Sequence, residues 1–536
     1  MKGDWSQLID DILLAKIGHL NFWRLTQRPV QPEVYDYCDR LGLMTQTDLP
    51  LFGCLRRNQF CEAIRQAEEM ERLVRAHPCN VLVSYINEPF GGAMGKPHRG
   101  YWQPVKPGWH YGCGEFGAEG LDPVATMRKL HRGYWLPQSV EEEAAWTPDR
   151  IRQAQTGRFH YCWLETPSTL DEWVTESLCH QAWVTRLMTE AFRRDQRMTS
   201  CAIHLFIDAF PAGWMKAIMD VDRTPKPAYF PYREALTPLM ANLCTDRFTY
   251  WAEEPFIIEA WVCNDQYEAP EFLTLRYQLE ANGQVLAAHK APAQVPAGGG
   301  VCQGLLQGRM PAVSVRTAVI VRLALADAAG VVLHETAITL QVFPALSVGP
   351  VPRACVIGTP DGPAARLTAT FGLPTVDSAA ISAVDVILVD DPEAFARMEP
   401  AIRAAVQAGA HALLLEWPAG RYHVAGKEIE ITPCGLGERH VVSRATGHPL
   451  VADLMPEDLR CWYDAAAGYI TPLLPTTVAA PGWAPILTSG NGTWEGTWAP
   501  ALAAAEYADG APGASARCAW LAARRRIPPR LCWPGG

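Results

Sequence analysis

Two carboxylic acids stand at the ends of strand-like runs early in the chain. Glu88 closes the apolar stretch within "VLVSYINEPFGG" (81–92), directly after Asn87, and Glu115 closes "HYGCGE" (110–115). In parallel α/β proteins the loops at the carboxyl ends of strands are free to vary and carry the chemistry. Two acids delivered there can cleave an acetal: one protonates the leaving oxygen and the other attacks the anomeric carbon, with about 5–5.5 Å between the carboxyl groups. Either acid could instead cap the following helix or pair with an arginine.

The segments around these acids alternate between helix and strand patterns. An amphipathic helix over 5–17 places Leu8, Ile12 and Leu13 at helical spacing, and "PEVYDYCDRLG", "FCEAIRQAEEMERLVRAH" and the stretches 123–131 and 168–196 also read as helices. Strands are predicted at about 21–25, 42–46, 81–86, 111–115 and 202–207. Such alternation over residues 1–243 argues for a parallel α/β sheet, open or closed into a barrel. Residues 244–345 switch to alternating strands such as "FIIEAWVCN" and "AVIVRLALA" with regular turns, the pattern of an Ig-like β-sandwich. Residues 350–512 return to α/β alternation and are expected to form a doubly wound, flavodoxin/amidotransferase-like domain. It contains no Gly-x-Cys-x-Gly or Gly-x-Ser-x-Gly elbow. Residues 513–536, ending "ARRRIPPRLCWPGG", lack periodicity and are expected to be a disordered tail.

Composition narrows the function classes. Of 536 residues, 49% are hydrophobic and 19% charged, enough for several cores. The net charge of −10 and the absence of a basic block before the last residues give nucleic-acid binding little support. No run of eighteen apolar residues suggests a membrane span. The first twenty residues lack a signal-peptide pattern, so a cytoplasmic location is expected, with the 16 cysteines reduced. No cysteine or histidine spacing indicates a metal, and His110 and His204 read as core imidazoles. Nineteen tryptophans suit sugar stacking as well as large cores.

Longer motifs resemble glycoside hydrolase family 2, the β-galactosidase, β-glucuronidase and β-mannosidase group. "RAHPCNVLVSYINEPF" resembles its acid/base segment and "GCGEFGAEG" its nucleophile segment. "LNFWRLTQRPVQPEVYDYCDRLGLMTQTDLPLFG" is similar to its second and third barrel strands, and "SCAIHLFIDAFPAGWMKAIMDVDRTPKPAYFPYREALTPL" to its eighth strand and barrel exit. The resemblance covers roughly residues 5–243, and the sandwich that follows is also a habit of the family. It implies a (β/α)8 TIM-barrel-like catalytic unit and a retaining exo-β-glycosidase that needs no cofactor. Glu88 would be the acid/base, Asn87 a ligand of the sugar 2-hydroxyl and Glu115 the nucleophile. Arg24 would hold Glu115 ionised, Asp48 would lie near the sugar, and Trp214 would stack on it. Arg24 has a second reading as a barrel-floor ion pair. Glu119, one turn beyond Glu115, reads as a helix-start acid. The implied partner is a β-linked carbohydrate; homo-oligomerisation is left open, and "TDLP" leans towards mannosidase-like or glucosaminidase-like members.

The pattern also departs from the family. Glu88 and Glu115 belong to its fourth and seventh strands, yet only 27 positions separate them here. Two further βα units do not fit in that space. Strands 1, 5 and 6 of the eight therefore lack counterparts, and the start is short. An internal deletion or gene-model fragment explains this, as does a degenerate member. The competing function is an inactive remnant or non-catalytic carbohydrate-binding protein.

Overall fold

The computed structural model describes residues 4–52, 57–85, 87, 108, 110–130, 135–146, 169–208, 216–245, 247–345, 351–433, 439–443, 454–455, 458, 463–464, 469–470, 476–491, 498–506 and 517–521. The first region begins with α1 (Trp5–Ile17), started by Asp4 accepting from the Gln7 amide at 3.0 Å and stopped at Gly18. Leu8, Ile12 and Ala15 form its buried stripe. Strand β1 (Phe22–Leu25) leads into α2 (Pro32–Leu41), which has proline in its first turn and the left-handed Gly42 (φ 71°) at its end. Strand β2 (Met44–Asp48), α3 (Phe60–Val74) and β3 (Asn80–Ser84) follow. The three strands form a parallel sheet in the order β1-β2-β3.

Strand β4 (Tyr111–Phe116) precedes α4 (Val124–Leu130) and α5 (Val140–Ala144). Helix α6 (Leu170–Arg194) opens with a reciprocal capping box between Thr169 and Glu172 and leads to β5 (Met198–Ile203). Strands β4 and β5 pair in parallel as a second, separate sheet. The last strand was expected at about 202–207. Its ladder stops at Ile203, and the apolar run beyond it turns to the segment around Ile218 and Met219, whose amides donate to Leu205 O and Phe206 O at 3.1 Å each. Trp23 of β1 meets Phe206, just beyond β5, with the rings 6.0 Å apart, and Phe116 of β4 packs edge-on against Phe192 of α6 at 4.9 Å.

Helix α7 (Tyr229–Ala235) connects to the sandwich. Strand β6 (Leu239–Cys244) pairs with β8 (Pro255–Asn264), so the sandwich begins before the expected boundary at 244. With β7 (Thr249–Trp251), β9 (Leu273–Ala281), β10 (Gln284–Ala293), β11 (Gly299–Arg309), β12 (Thr317–Ala326) and β13 (Val332–Phe343), it makes two sheets, β10-β9-β12-β13-β7 and β11-β8-β6. Ile258, Val262, Leu275, Val321 and Leu340 fill the space between them.

The last region carries β14 (Ala354–Ile357), α8 (Pro363–Phe371), β15 (Thr375–Val376), β16 (Val386–Val389), α9 (Pro392–Gln407) and β17 (His411–Leu415). They enter an eight-stranded sheet in the order β15-β14-β16-β17, followed by the strands Arg517–Leu521, Trp498–Glu506, Ala484–Asn491 and Arg439–Ser443. Residues 517–521 correct the expectation of a disordered tail: they pair in parallel with β17 and antiparallel with Trp498–Glu506. Within the described part of that region, Asp390 accepts from the amides of Thr359 (3.1 Å) and Ala364 (2.8 Å), occupying the start of α8 with a carboxylate of the chain itself.

Candidate active site

Arg24 organises the site. It lies on β1 opposite Gln46 of β2, so its side chain reaches the strand ends where Asp48, Asn87 and Glu115 stand. Its Nε and Nη2 donate to Asp48 Oδ2 at 2.9 and 2.6 Å, and Nη2 also donates to Asn87 Oδ1 at 2.7 Å. Nη1 stands 3.3 Å from Glu115 Oε1. The pairing is sheltered: the side chains of Arg24 and Asp48 are 7% and 1% exposed, while that of Glu115 is 27% exposed. The guanidinium packs so closely on β4 that a Cβ at Gly114 would lie 2.9 Å from Arg24 Nη1, which explains the glycine before Glu115.

Asp48 is fully engaged. Its Oδ2 also accepts from the Gln27 amide at 3.2 Å and its Oδ1 from Gln46 Nε2 at 3.1 Å. The acid expected beside the sugar is therefore turned to Arg24, because a buried carboxylate requires a charge partner. Asn87 is held by its own amide, which donates to Leu51 O at 2.8 Å. Its side-chain Nδ2 is buried and has no partner among the described residues.

Burial raises the pKa of Glu115 above the ordinary glutamate value; Arg24 and then Lys216 oppose this, and Asp48 adds to it. The contact expected from Arg24 is present, but its charge does not prevail, since Arg24 is shared with Asp48. Glu119, expected at a helix start, lies before α4 and pairs with Lys216 at 3.3 Å. Lys216 was not singled out from sequence; its one signal is a cation inside the apolar "GWMKAIMD" stretch.

The loop after β4 is fastened from two sides. Buried Gln181 of α6 donates from Nε2 to Ala118 O (3.2 Å), Lys216 O (2.8 Å) and Ala217 O (3.2 Å), and the Leu121 amide donates to Ser177 Oγ at 2.9 Å. Lys226, fully buried, contacts Asp122 Oδ1 at 2.8 Å and donates to Gly120 O at 3.1 Å. Glu88 and Trp214 lie outside the described residues, so Arg24, Asp48, Asn87 and Glu115 are the expected site residues seen together. His110 is exposed rather than buried, lying just before β4 where the strand has not yet entered the packed sheet.

Asp36, Asp39 and His77 are spaced as a cation could use them, but Asp39 already joins His77 Nδ1 at 2.8 Å and the Cys79 amide at 2.7 Å, tying α2 to the start of β3. A cavity of about 460 Å³ lies beside α4, lined by Ala125, Arg128 and Gln138 among others; none of the four converging residues lines it.

No protein-family model matches the chain. Over 91 residues it is 34% identical to a β-glucuronidase of Sus scrofa and 35% identical to one of Mus musculus, each match covering 16% of this chain and 14% of the relative. The chain thus matches about one seventh of the length of these curated relatives. Among solved structures, a β-D-mannosidase from Dictyoglomus thermophilum is 16% identical with a TM-score of 0.48, covering 66% of this chain and 49% of that one. The Amycolatopsis orientalis exo-chitosanase CsxA is 14% identical with a TM-score of 0.42, covering 62% and 46%. The curated matches mark this chain as glycosidase-like. Over those 91 residues it resembles glycoside hydrolase family 2 through these β-glucuronidases.

Proposed function

We propose that the protein is a retaining exo-β-glycosidase that hydrolyses terminal β-linked sugars by double displacement. Glu115 attacks the anomeric carbon and Glu88 protonates the leaving oxygen; Glu88 then activates the water that releases the sugar. Asn87 donates from its uncommitted Nδ2 to the sugar 2-hydroxyl, Trp214 stacks on the ring, and Asp48 acts through Arg24. The observation that carries this reading is the convergence of three strand-end residues on one guanidinium, with Asn87 Nδ2 left unpaired among the described residues. In this reading β1–β5 are part of a TIM-barrel-like unit. The last region is flavodoxin/amidotransferase-like, supported by parallel strands in the order 2-1-3-4-5.

The test is a screen of nitrophenyl β-glycosides with the parent, Glu115→Gln and Glu88→Gln. Glu88→Gln is expected to lower turnover by about 10²–10⁴-fold, and Glu115→Gln to abolish it. Unchanged turnover by Glu115→Gln removes the nucleophile assignment. A second reading, a sugar-binding protein without turnover, is favoured by the separation of β1–β3 and β4–β5 into two sheets among the described residues. Sugar binding by calorimetry with no hydrolysis in the parent would select it.

A further inference from the structure

Phe52 is a large apolar side chain left 56% exposed at the end of the strands that carry the site. Single exposed hydrophobics are ordinary on protein surfaces, so its meaning depends on where its backbone is fixed. Buried Leu49 follows β2, and its amide donates to Ser84 O of β3 at 2.7 Å. The Leu51 amide donates back to Leu49 O at 2.7 Å, closing a three-residue turn about Pro50, whose fixed φ suits it. The turn takes up the one extra residue on the β2 side. Asp48 pairs with Ser84, and Phe52 returns to a parallel bridge with Asn87. The Asn87 amide donates to Leu51 O at 2.8 Å and fastens that bridge.

Bridge partners send their side chains to the same face of a sheet. Asn87 Oδ1 accepts from Arg24 Nη2 at 2.7 Å, and the same guanidinium stands 3.3 Å from Glu115 Oε1. The Phe52 ring therefore leaves the backbone on the face where the site residues converge. Two complementary deficits meet there. Asn87, 5% exposed, has a buried donor in Nδ2 with no partner among the described residues, and Phe52 has a ring with little cover. A ligand offering a polar group and an apolar ring face satisfies both, the usual composition of a small-molecule site. Phe60 and Tyr85 are also exposed but stand elsewhere: Phe60 opens α3, and the Tyr85 hydroxyl donates to Glu71 of that helix.

We propose that Phe52 is the stacking platform for a cyclic leaving group, the apolar face of a second sugar ring or of an aryl group. The proposal rests on the glycosidase reading for its placement. In that reading Glu88, the residue after Asn87, protonates the leaving oxygen, so a ring beside Asn87 lies on the leaving-group side. Phenylalanine has no hydrogen-bonding group, and what it adds is contact area and ring stacking. It therefore discriminates ring from chain leaving groups and leaves recognition of the cleaved sugar to Asn87 and its neighbours. The clamped backbone lowers the ordering cost of binding, because the ring is presented from a fixed point.

The experiment measures calorimetric binding of methyl β-thioglycosides, phenyl β-thioglycosides and thio-linked disaccharides to the full chain, in the glucuronic acid, mannose and glucosamine configurations. The sulfur link resists hydrolysis, so binding is read apart from turnover. The parent is expected to prefer a ring probe over the methyl probe. Phe52→Ala should lose about tenfold of that preference, with methyl binding unchanged. Phe52→Tyr, which keeps a flat ring, should retain it; Phe52→Leu, apolar without one, should lose it. Loss with the phenyl probe alone assigns the platform to aryl groups, and loss with the disaccharide alone assigns it to sugars. Equal loss on methyl and ring probes, full retention in Phe52→Ala, or no binding of any probe by the parent overturns the proposal. Melting temperatures equal to the parent's, expected for an exposed ring, exclude unfolding as the cause of a loss. Selective loss in a chain that cleaves no nitrophenyl β-glycoside sustains this inference and removes the hydrolytic reading; cleavage with an unchanged preference in Phe52→Ala does the reverse.

Discussion

Arg24 donates two hydrogen bonds to one oxygen of Asp48, and that commitment leaves Glu115 with a single longer contact to the same guanidinium. The arginine is therefore first an anchor of the sheltered strand ends and only second a partner of Glu115. The same guanidinium thus contacts two carboxylates, Asp48 and Glu115.

Asp48→Asn is expected to destabilise the chain by about 3–5 kcal/mol, the cost of leaving one partner of a buried ion pair uncompensated. The value should fall at the low end, because Glu115 still faces the guanidinium. Urea unfolding of the variant beside the parent measures it. A loss below about 1 kcal/mol would mean that Arg24 does not depend on Asp48.

The buried pair of Lys226 and Asp122 gives a second expectation. With side-chain exposures of 0% and 2%, neither charge can reach water when its partner is removed. Lys226→Met alone should destabilise by about 3–5 kcal/mol, and adding Asp122→Leu should recover most of that loss. Recovery is the informative result, since it separates charge burial from the hydrogen bond that Lys226 donates to Gly120. Denaturant midpoints of the single and double variants provide the comparison.

His334 offers a pH-dependent expectation at the junction with the sandwich. Its Nδ1 accepts from the Ala241 amide at 3.3 Å, and its Nε2 contacts Glu234 at 2.8 Å. Burial lowers its pKa, Glu234 opposes this, and Arg186 and Arg193 add to the lowering. A base whose folded pKa is depressed stabilises the fold above the ordinary histidine value, and this contribution is lost as pH falls through the lowered value. The parent should therefore lose thermal stability as pH drops below about 6.5, and His334→Gln should lose less. Parallel melting curves of the two across that range would refute the assignment.

The described parts of the architecture were legible wherever the pattern is local. The stripe of Leu8, Ile12 and Ala15 marks α1, Gly42 ends α2, and the β-branched run before Asn87 marks β3. Two boundaries misled. The "LFI" run at 205–207 extends the apolar pattern past the ladder that holds β5, and "RCAWL" at 517–521 is too short to announce a strand. The latter pairs in parallel with β17, about a hundred positions earlier, and nothing local signals such pairing.

By itself the sequence determined the residue types at the strand ends: an Asn-Glu pair, a Gly-Glu pair, and an arginine and an aspartate on neighbouring strands. Those follow from side-chain periodicity along single segments. Tertiary structure alone decided how the charges are shared. It bound Asp48 to Arg24, set Glu115 against the same guanidinium, and brought Lys216 to Glu119 from nearly a hundred positions away. Coulombic balance depends on distance and burial in space, and no spacing along the chain encodes either.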